Sequence, residues 1–292
     1  MEGLILKGIG GFYTVRGSDG SAHTLRAQGK LRKQHMTPMV GDRVEFTIGR
    51  SEENSWLTAI LPRKNQLIRP PVANVDKLVI TLASLTPKAD LLLVDRLLLL
   101  ARQNKIEPVL AINKSDQDAR EAERLTCEYR GAAAEIYGVS AATGEGISAL
   151  RAALKGTIHA FGGQSGVGKS SLINALYGFD LMTGTLSEKI DRGKNTTRHT
   201  ELIDVPGGGM VLDTPGFSLL ELALLPPLEL KTLYPEFEPF DEKCRFSPCA
   251  HNKEPGCAVK AAVAAGEIDF LRYERYLALF GEVTERWKER YD

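Results

Sequence analysis

The chain has 292 residues, 43% hydrophobic and 25% charged, with 37 basic residues balanced by 37 acidic ones. This composition excludes a collagen-like, disulfide-scaffold or intrinsically disordered chain and leaves room for two or three folded domains. Zero formal net charge provides no general attraction to a polyanion.

From Met1 to Lys64 the pattern is of short β-favouring runs: Leu4 to Ile9, Phe12 to Arg16, His23 to Arg26, Arg43 to Ile48 and Trp56 to Leu61. Glycine-rich turns separate them, and about five short strands in this length predict a small closed barrel of the oligonucleotide-binding (OB) type. Ten basic residues face six acidic ones in this stretch. Lys30, Arg32, Lys33 and His35 stand together in the connection before Arg43, as an RNA-phosphate contact or as an ordinary solvated loop. The proline-bearing stretch Arg63 to Pro71 marks a boundary, giving an expected first domain over 1–64.

Strand and helix then alternate: a strand over Lys77 to Ala83, a helix over Asp90 to Gln103 and a strand over Pro108 to Ile112. A helix over Arg120 to Arg130, a strand over Glu135 to Val139 and a helix over Ile147 to Ala153 follow, then a strand from Thr157. This alternation predicts a mostly parallel sheet covered on both faces, with ligands at the carboxyl ends of its strands. The apolar run Leu91 to Ala101 is interrupted by Asp95 and Arg96. It fits a packed helix, so no membrane span, no signal peptide and a cytoplasmic location are expected.

Gly163-Gln164-Ser165-Gly166-Val167-Gly168-Lys169-Ser170, followed by Ser171, fits the phosphate-loop pattern G-x-x-x-x-G-K-[ST]. Glycines allow the backbone to curl its N–H groups around a phosphate at a helix N-terminus. Lys169 is then expected at the β- and γ-phosphates and Ser170 on magnesium. Asn113-Lys114-Ser115-Asp116 closes an earlier strand and matches N-K-x-D. There Asp116 would accept from the two donors of guanine, a pair that adenine lacks. A small-metabolite kinase with a phosphate loop does not need this element. Ser140-Ala141 ends the next strand and suits a further guanine-binding loop. Met210 to Gly216 reads as an apolar strand running into D-x-x-G, with Asp213 toward magnesium and the Gly216 N–H toward the γ-phosphate. The polar stretch Thr183 to Thr200 suits a loop that orders with nucleotide, with Thr196 or Thr197 as its magnesium ligand.

The motif order is unusual: N-K-S-D and S-A precede the phosphate loop. One site still forms if the sheet is circularly permuted, giving an expected GTPase domain over 65–222. The chain leaves D-x-x-G directly for the C-terminal region, so that this switch could pull on it. That region, 223–292, carries Cys244-x4-Cys249-x-His251-x5-Cys257. Three thiolates and one imidazole are a closed ligand set for one tetrahedral structural zinc, and helices over Ala261 to Ala265 and Phe270 to Tyr291 follow. Cys127, far away on a helix, is expected in the core.

Taken together, the basic barrel, the permuted GTPase motifs and the cysteine–histidine cluster resemble, over the whole chain, the circularly permuted ribosome small-subunit biogenesis GTPases of bacteria (the RsgA/YjeQ family). The resemblance implies a multidomain α/β protein that hydrolyses GTP with magnesium. It implies stimulation by the small ribosomal subunit, binding of its rRNA, and action in late subunit maturation, here expected as a monomer cycling between GTP and GDP. Lys169, Thr197, Asp213 and Gly216 are the expected catalytic residues. Phe217 stands where a conventional GTPase has its water-orienting glutamine. Members of the family typically carry a histidine before the threonine pair, and here Asn195 takes that place, with His199 nearby. Asparagine could orient a water but not accept its proton. The alternative is therefore an RNA-binding assembly or anti-association factor for which GTP is a slowly hydrolysed ligand.

Overall fold

The computed structural model describes residues 1–33, 36–49, 55–68, 70–180, 200–213 and 222–290. The first five strands are β1 (Glu2–Ile9), β2 (Phe12–Gly17), β3 (Ala22–Ala27), β4 (Arg43–Thr47) and β5 (Trp56–Ile60). They pair in the order β1-β2-β3-β5-β4, and β4 returns to β1 to close the barrel. Only the β3–β5 pairing is parallel. This is the five-stranded Greek-key barrel expected of an OB fold. One side chain from each alternation points inward, so Ile5, Val15, Leu25, Val44, Phe46 and Leu57 form its core. The connection expected to be a loop contains a short helix, α1 (Gly29–Lys33). Leu31 is the reason: it is 2% exposed and plugs one end of the barrel.

A small hairpin, β6 (Gln66–Leu67) with β7 (Val72–Ala73), joins the barrel to the second layer. Arg63 holds this joint through both oxygens of the fully buried Asp42, at 2.7 and 2.8 Å.

The central sheet runs β10 (Glu135–Gly138), β9 (Glu107–Asn113), β8 (Lys77–Ala83), β11 (Ile158–Gly162), β13 (Met210–Asp213), β12 (Glu201–Asp204). All its pairings are parallel except that of β12 with β13. The helices α2 (Leu91–Gln103), α3 (Ala119–Glu128), α4 (Ile147–Leu154) and α5 (Lys169–Tyr177) cover its faces. Strands buried on both faces read as continuous apolar runs, as KLVITLA in β8 does. β12 was not anticipated, because its four residues, ELID, directly follow the polar stretch read as loop. Its outer edge pairs with β1 at Lys7 and Glu201, so barrel and central sheet are continuous.

The C-terminal part consists of 3₁₀ turns over Pro227–Leu233 and Pro235–Phe237 and the helices α6 (Glu238–Asp241), α7 (Ala258–Ala264) and α8 (Phe270–Glu289). α7 begins three residues earlier than its sequence suggests. Tyr234, Phe237, Tyr276 and Leu279 pack into the same apolar cluster as Leu97, Leu98 and Leu125 of α2 and α3. Cys127, expected in the core, is exposed on α3; the helix buries Ala122, Leu125 and Glu128 instead. No helix among the described residues is long and apolar enough to cross a membrane.

Candidate active site and metal centre

The loop between β11 and α5 is shaped by two glycines that nothing larger could replace. A Cβ on Gly163 (φ +133°) would lie 2.1 Å from the Thr81 carbonyl oxygen, and one on Gly168 (φ +91°) 2.5 Å from Asn113 Nδ2. Gly168 is also the N-cap of α5 and supplies no capping side chain. By contrast, Asp90, Asp118 and Asp269 cap α2, α3 and α8 with their carboxylates. α5 therefore presents uncapped N–H groups and the positive end of its dipole to the loop, the arrangement that receives phosphate. Lys169, its first residue, folds back to donate to the carbonyls of Gly163 and Gln164, both at 2.7 Å. Burial lowers its pKa. Ser170 and Ser171 are half-buried on the same first turn.

Asn113, 1% exposed at the end of β9, ties this loop to its neighbours. Its Nδ2 donates to the Val167 carbonyl at 2.9 Å, and its Oδ1 accepts from the Ala141 N–H at 3.2 Å. Lys114, in the left-handed region at φ 62°, donates to the carbonyls of Thr86 and Gly166. Its own carbonyl accepts from Ser84 Oγ at 2.6 Å. Ser115 is buried, and its N–H donates to the Val139 carbonyl at 3.1 Å. Asp116 is exposed, and among the described residues nothing engages its carboxylate. Ser140 is fully buried and its Oγ accepts from the Thr143 N–H at 3.1 Å, which holds the S-A loop.

The structure thus gathers Asn113, Lys114, Ser115, Asp116, Ser140, Ala141 and the Gly163 to Ser171 segment at one end of the parallel sheet. Asp213 ends β13, on the other side of β11. His35, Asn195, Thr196, Thr197, His199, Gly216 and Phe217 lie outside the described residues, as does nearly all of the Thr183 to Thr200 loop. Lys30 lies on α1 of the barrel with Arg32 and Lys33. Sequence reasoning missed the β8–α2 connection, where the Thr86 carbonyl receives Lys114 and the Asp90 N–H donates to Gln164 Oε1 at 3.2 Å. Backbone carbonyls carry no sequence signature, so nothing could have marked Thr86.

The second constellation is Cys244, Cys249, His251 and Cys257, whose ligand atoms all lie within 4.8 Å of one another. Cys244 Sγ is 3.9 Å from Cys257 Sγ, and the two sulfurs are 3.6 and 3.4 Å from His251 Nδ1. A tetrahedron with metal–sulfur bonds of about 2.3 Å and a metal–nitrogen bond of about 2.0 Å has edges of roughly 3.8 and 3.5 Å. The four side chains therefore fit one tetrahedral metal ion. Backbone N–H groups of His251 and Ala258 point at Cys249 and Cys244 sulfur, both at 3.4 Å, as thiolate acceptors require. Burial pushes the Cys249 and Cys257 thiols upward, so an ion is what would hold them as thiolates. Asp241 Oδ1 stands 2.9 Å from His251 Nε2, on the ring's far side, the usual place for a group that orients a ligating imidazole. Sequence spacing did not indicate Asp241.

A parallel nucleotide-binding sheet whose N-K-S-D strand precedes its phosphate-loop strand, between an OB barrel and a Cys₃His domain, defines a circularly permuted P-loop GTPase. The family model described as RsgA GTPase matches residues 60–223, and that of the RsgA N-terminal domain matches residues 2–55. The chain belongs to the RsgA GTPase family. A protein of Caldanaerobacter subterraneus subsp. tengcongensis named small ribosomal subunit biogenesis GTPase RsgA is 47% identical over 293 residues, spanning 100% of this chain and 98% of its own. The protein of the same name from Moorella thermoacetica is 46% identical over 288 residues, spanning 98% of each chain. Among solved structures, YjeQ from Thermotoga maritima aligns with a TM-score of 0.83 at 37% identity, covering 97% of this chain and 98% of its own. YloQ, described as a circularly permuted GTPase, aligns at 0.81 and 34% identity, covering 98% and 95%.

Proposed function

We propose that this chain hydrolyses GTP with magnesium and that its nucleotide state controls its binding to the small ribosomal subunit in late maturation. The observation that carries the GTP reading is the Asn113 side chain. By bonding Val167 on one side and Ala141 on the other, it locks the phosphate loop and the base-recognising loops in one register. Asp116 then accepts from guanine, the Lys114 stem lies along the base, and the Ala141 N–H meets the guanine oxygen. Lys169 exchanges its two carbonyl partners for β- and γ-phosphate oxygens. Burial alone lowers its pKa, and a phosphate beside it would favour the charged form. Magnesium, when bound, neutralises phosphate charge; Ser170, Asp213 and Thr196 or Thr197 would hold it. The expected division into barrel (1–64), GTPase (65–222) and metal domain (223–292) follows the same reading, with one structural zinc on the Cys₃His set and a cytoplasmic monomer.

The ribosomal part rests on the names of the relatives and on the locally basic barrel, where Lys30, Arg32, Lys33 and His35 would meet rRNA. Phe217 and Asn195 favour the second reading, an assembly or anti-association factor that turns GTP over slowly. Steady-state GTP hydrolysis with and without purified small subunits, with Lys169→Ala as the blank, separates them. Strong stimulation absent from Lys169→Ala supports the activated GTPase. Tight GTP-dependent subunit binding without stimulation favours the second reading, and the absence of both binding and stimulation removes the ribosomal role.

A further inference from the structure

At the end of the central sheet opposite the phosphate loop lies a cleft that the nucleotide site does not use. α4 and α5 end there, and the turn between β12 and β13 forms its far side. Two adjoining hollows of about 490 and 220 Å³ share Arg151, Tyr177, Pro206 and Gly207, a size that suits a small molecule. The floor is apolar, made by the buried Leu154, Tyr177 and Val205. The Tyr177 hydroxyl is held 2.7 Å from Nε2 of the buried His159, which fixes the ring. The far wall is bare backbone: Gly207 and Gly208 have φ of +89° and +92°, and a Cβ on either would meet nothing within 4 Å. The Gly156 N–H fastens this turn by donating to the Gly208 carbonyl at 2.9 Å. The rim is cationic. Arg151 and Lys155, one helical turn apart at the end of α4, are both exposed. Arg151 Nη2 donates to the Ala175 carbonyl at 3.0 Å, which neutralises the end of α5 and leaves the rest of the guanidinium unused. Neither cation has a carboxylate partner among the described residues, and no acidic residue lines the cleft.

We propose that this cleft is a second small-molecule site, for a phosphate monoester with a flat apolar body. The body lies over Tyr177 and Val205, and the phosphate sits between Arg151 and Lys155. Two uncompensated positive charges match a phosphate dianion better than a carboxylate, and the guanidinium can give it two parallel N–H bonds. The floor has no free hydrogen-bonding side chain, since the Tyr177 hydroxyl is engaged. A polar nucleobase would lose its water there without replacement, so an apolar ring is favoured over a nucleotide. The site is distinct from the phosphate loop, which lies where β11 ends. The cleft lies where β11 begins, beside the Met210 N–H that donates to the Thr157 carbonyl at 2.9 Å. Binding here is independent of the proposed ribosomal role.

The test titrates the full chain, with GDP and its metal ion in place, with 1-naphthyl phosphate followed by heteronuclear NMR. Saturable binding shifts the amide signals of Lys155 and Gly207 and leaves those of Gly166 and Lys169 in place. Naphthol and inorganic phosphate, each carrying half of the chemistry, bind at least about tenfold more weakly. Arg151→Met weakens binding by about tenfold or more, and Lys155→Met by about two- to fivefold, as a bidentate and a single exposed charge contact should. Lys155→Met breaks no bond of the fold, so its unchanged melting temperature separates lost charge from lost stability. No saturation by about 1 mM, naphthol or inorganic phosphate binding as tightly as the ester, or both variants binding like the parent would overturn the proposal. So would shifts confined to Gly166 and Lys169, which would put the probe in the nucleotide site.

Discussion

Arg272→Met tests what fastens the metal domain to the GTPase domain. Arg272, on the first turn of α8, is 1% exposed. Its Nη1 lies 2.5 Å from Asp95 Oδ1 on α2, and its Nε donates to Glu236 Oε1 at 2.8 Å. Its faces are covered by the Tyr234 and Tyr129 rings, 4.6 and 5.4 Å away. Burial works against its charge, but Asp95 and Glu236 outweigh burial and raise its pKa above the ordinary value. Methionine retains the apolar stem and removes the charge. Asp95 still keeps Arg275 Nε at 2.6 Å and the Tyr129 hydroxyl at 2.8 Å. Glu236, 9% exposed at its side chain, is left with no ion-pair partner within bonding distance among the described residues. Removing one member of a buried pair costs about 3–5 kcal/mol, and the partial rescue of Asp95 places this case near ~3 kcal/mol. At roughly 2–4 °C per kcal/mol for a chain of this size, the melting transition should fall by about 6–12 °C in calorimetry. Adding Glu236→Leu should recover much of the loss, since no stranded carboxylate remains. A single-mutant cost under ~1 kcal/mol, or a double mutant that loses the sum of the singles, would refute the reasoning.

Gly168→Ala should lower GTP and GDP affinity together by about tenfold or more in equilibrium titration. Its Cβ meets Asn113 Nδ2 at 2.5 Å, and the joint between loops must shift, at a cost of ~1.4 kcal/mol or more. The Cys₃His set should carry one metal ion per chain by elemental analysis, and chelation or Cys257→Ser should melt the C-terminal part first, seen as lost protection in hydrogen exchange. Burial lowers the His159 pKa to about 4, beside the Tyr177 hydroxyl 2.7 Å from Nε2. Above about pH 6.5 neither folded nor unfolded chain holds that proton. As pH falls from there to 4 the unfolded chain takes it and the folded chain does not, so stability drops by ~3 kcal/mol. His159→Gln should flatten that part of the pH–stability curve, and an unchanged curve would count against the assignment.

Much of this fold was legible because apolar patterning and punctuation agree. The runs KLVITLA and EPVLAIN read as buried parallel strands, and each nucleotide motif follows a strand, where the topology of such sheets puts ligands. The barrel was legible from alternation and turn glycines. What escaped depends on contacts between distant residues. α1 forms because Leu31 has a hole to fill at the barrel end, which a basic pentapeptide does not reveal. β12 is a strand because β13 and β1 flank it, not because four residues of mixed polarity favour one. Cys127 looked like a core residue by type; on α3 the buried stripe runs through Ala122, Leu125 and Glu128. Glu128 enters the interior because Arg275 of α8 reaches it, and no local pattern on α3 announces a partner 147 residues away.

The permuted order suggests that the segment after Asp213 could pull directly on the metal domain, but the contacts beyond that segment oppose such a lever. Ala223 is fixed to the end of α2 by a reciprocal pair: its N–H donates to Gln103 Oε1 at 2.8 Å, and Gln103 Nε2 donates back to its carbonyl at 3.1 Å. Further along, Arg102 donates to the Leu233 carbonyl at 2.9 Å and to the Ala132 carbonyl at 2.6 Å, joining the 3₁₀ turn to the connection after α3. Arg272 and Arg275 then tie α8 to Asp95 and Glu128. From α8 the Tyr273 and Tyr276 hydroxyls donate to the carbonyls of His251 and Ala250 at 2.6 and 2.5 Å, tying the Cys₃His set to that helix. Moving this region relative to α2 would break these contacts together, and those that are buried or part-buried cost about 1–3 kcal/mol each when left unpaired. A γ-phosphate contact supplies at most a few such bonds. Among the described residues the C-terminal part is therefore fastened to α2 and α3, which follow the strands β8 and β9. On the other side of the sheet the barrel meets β12 through Lys7 and Glu201.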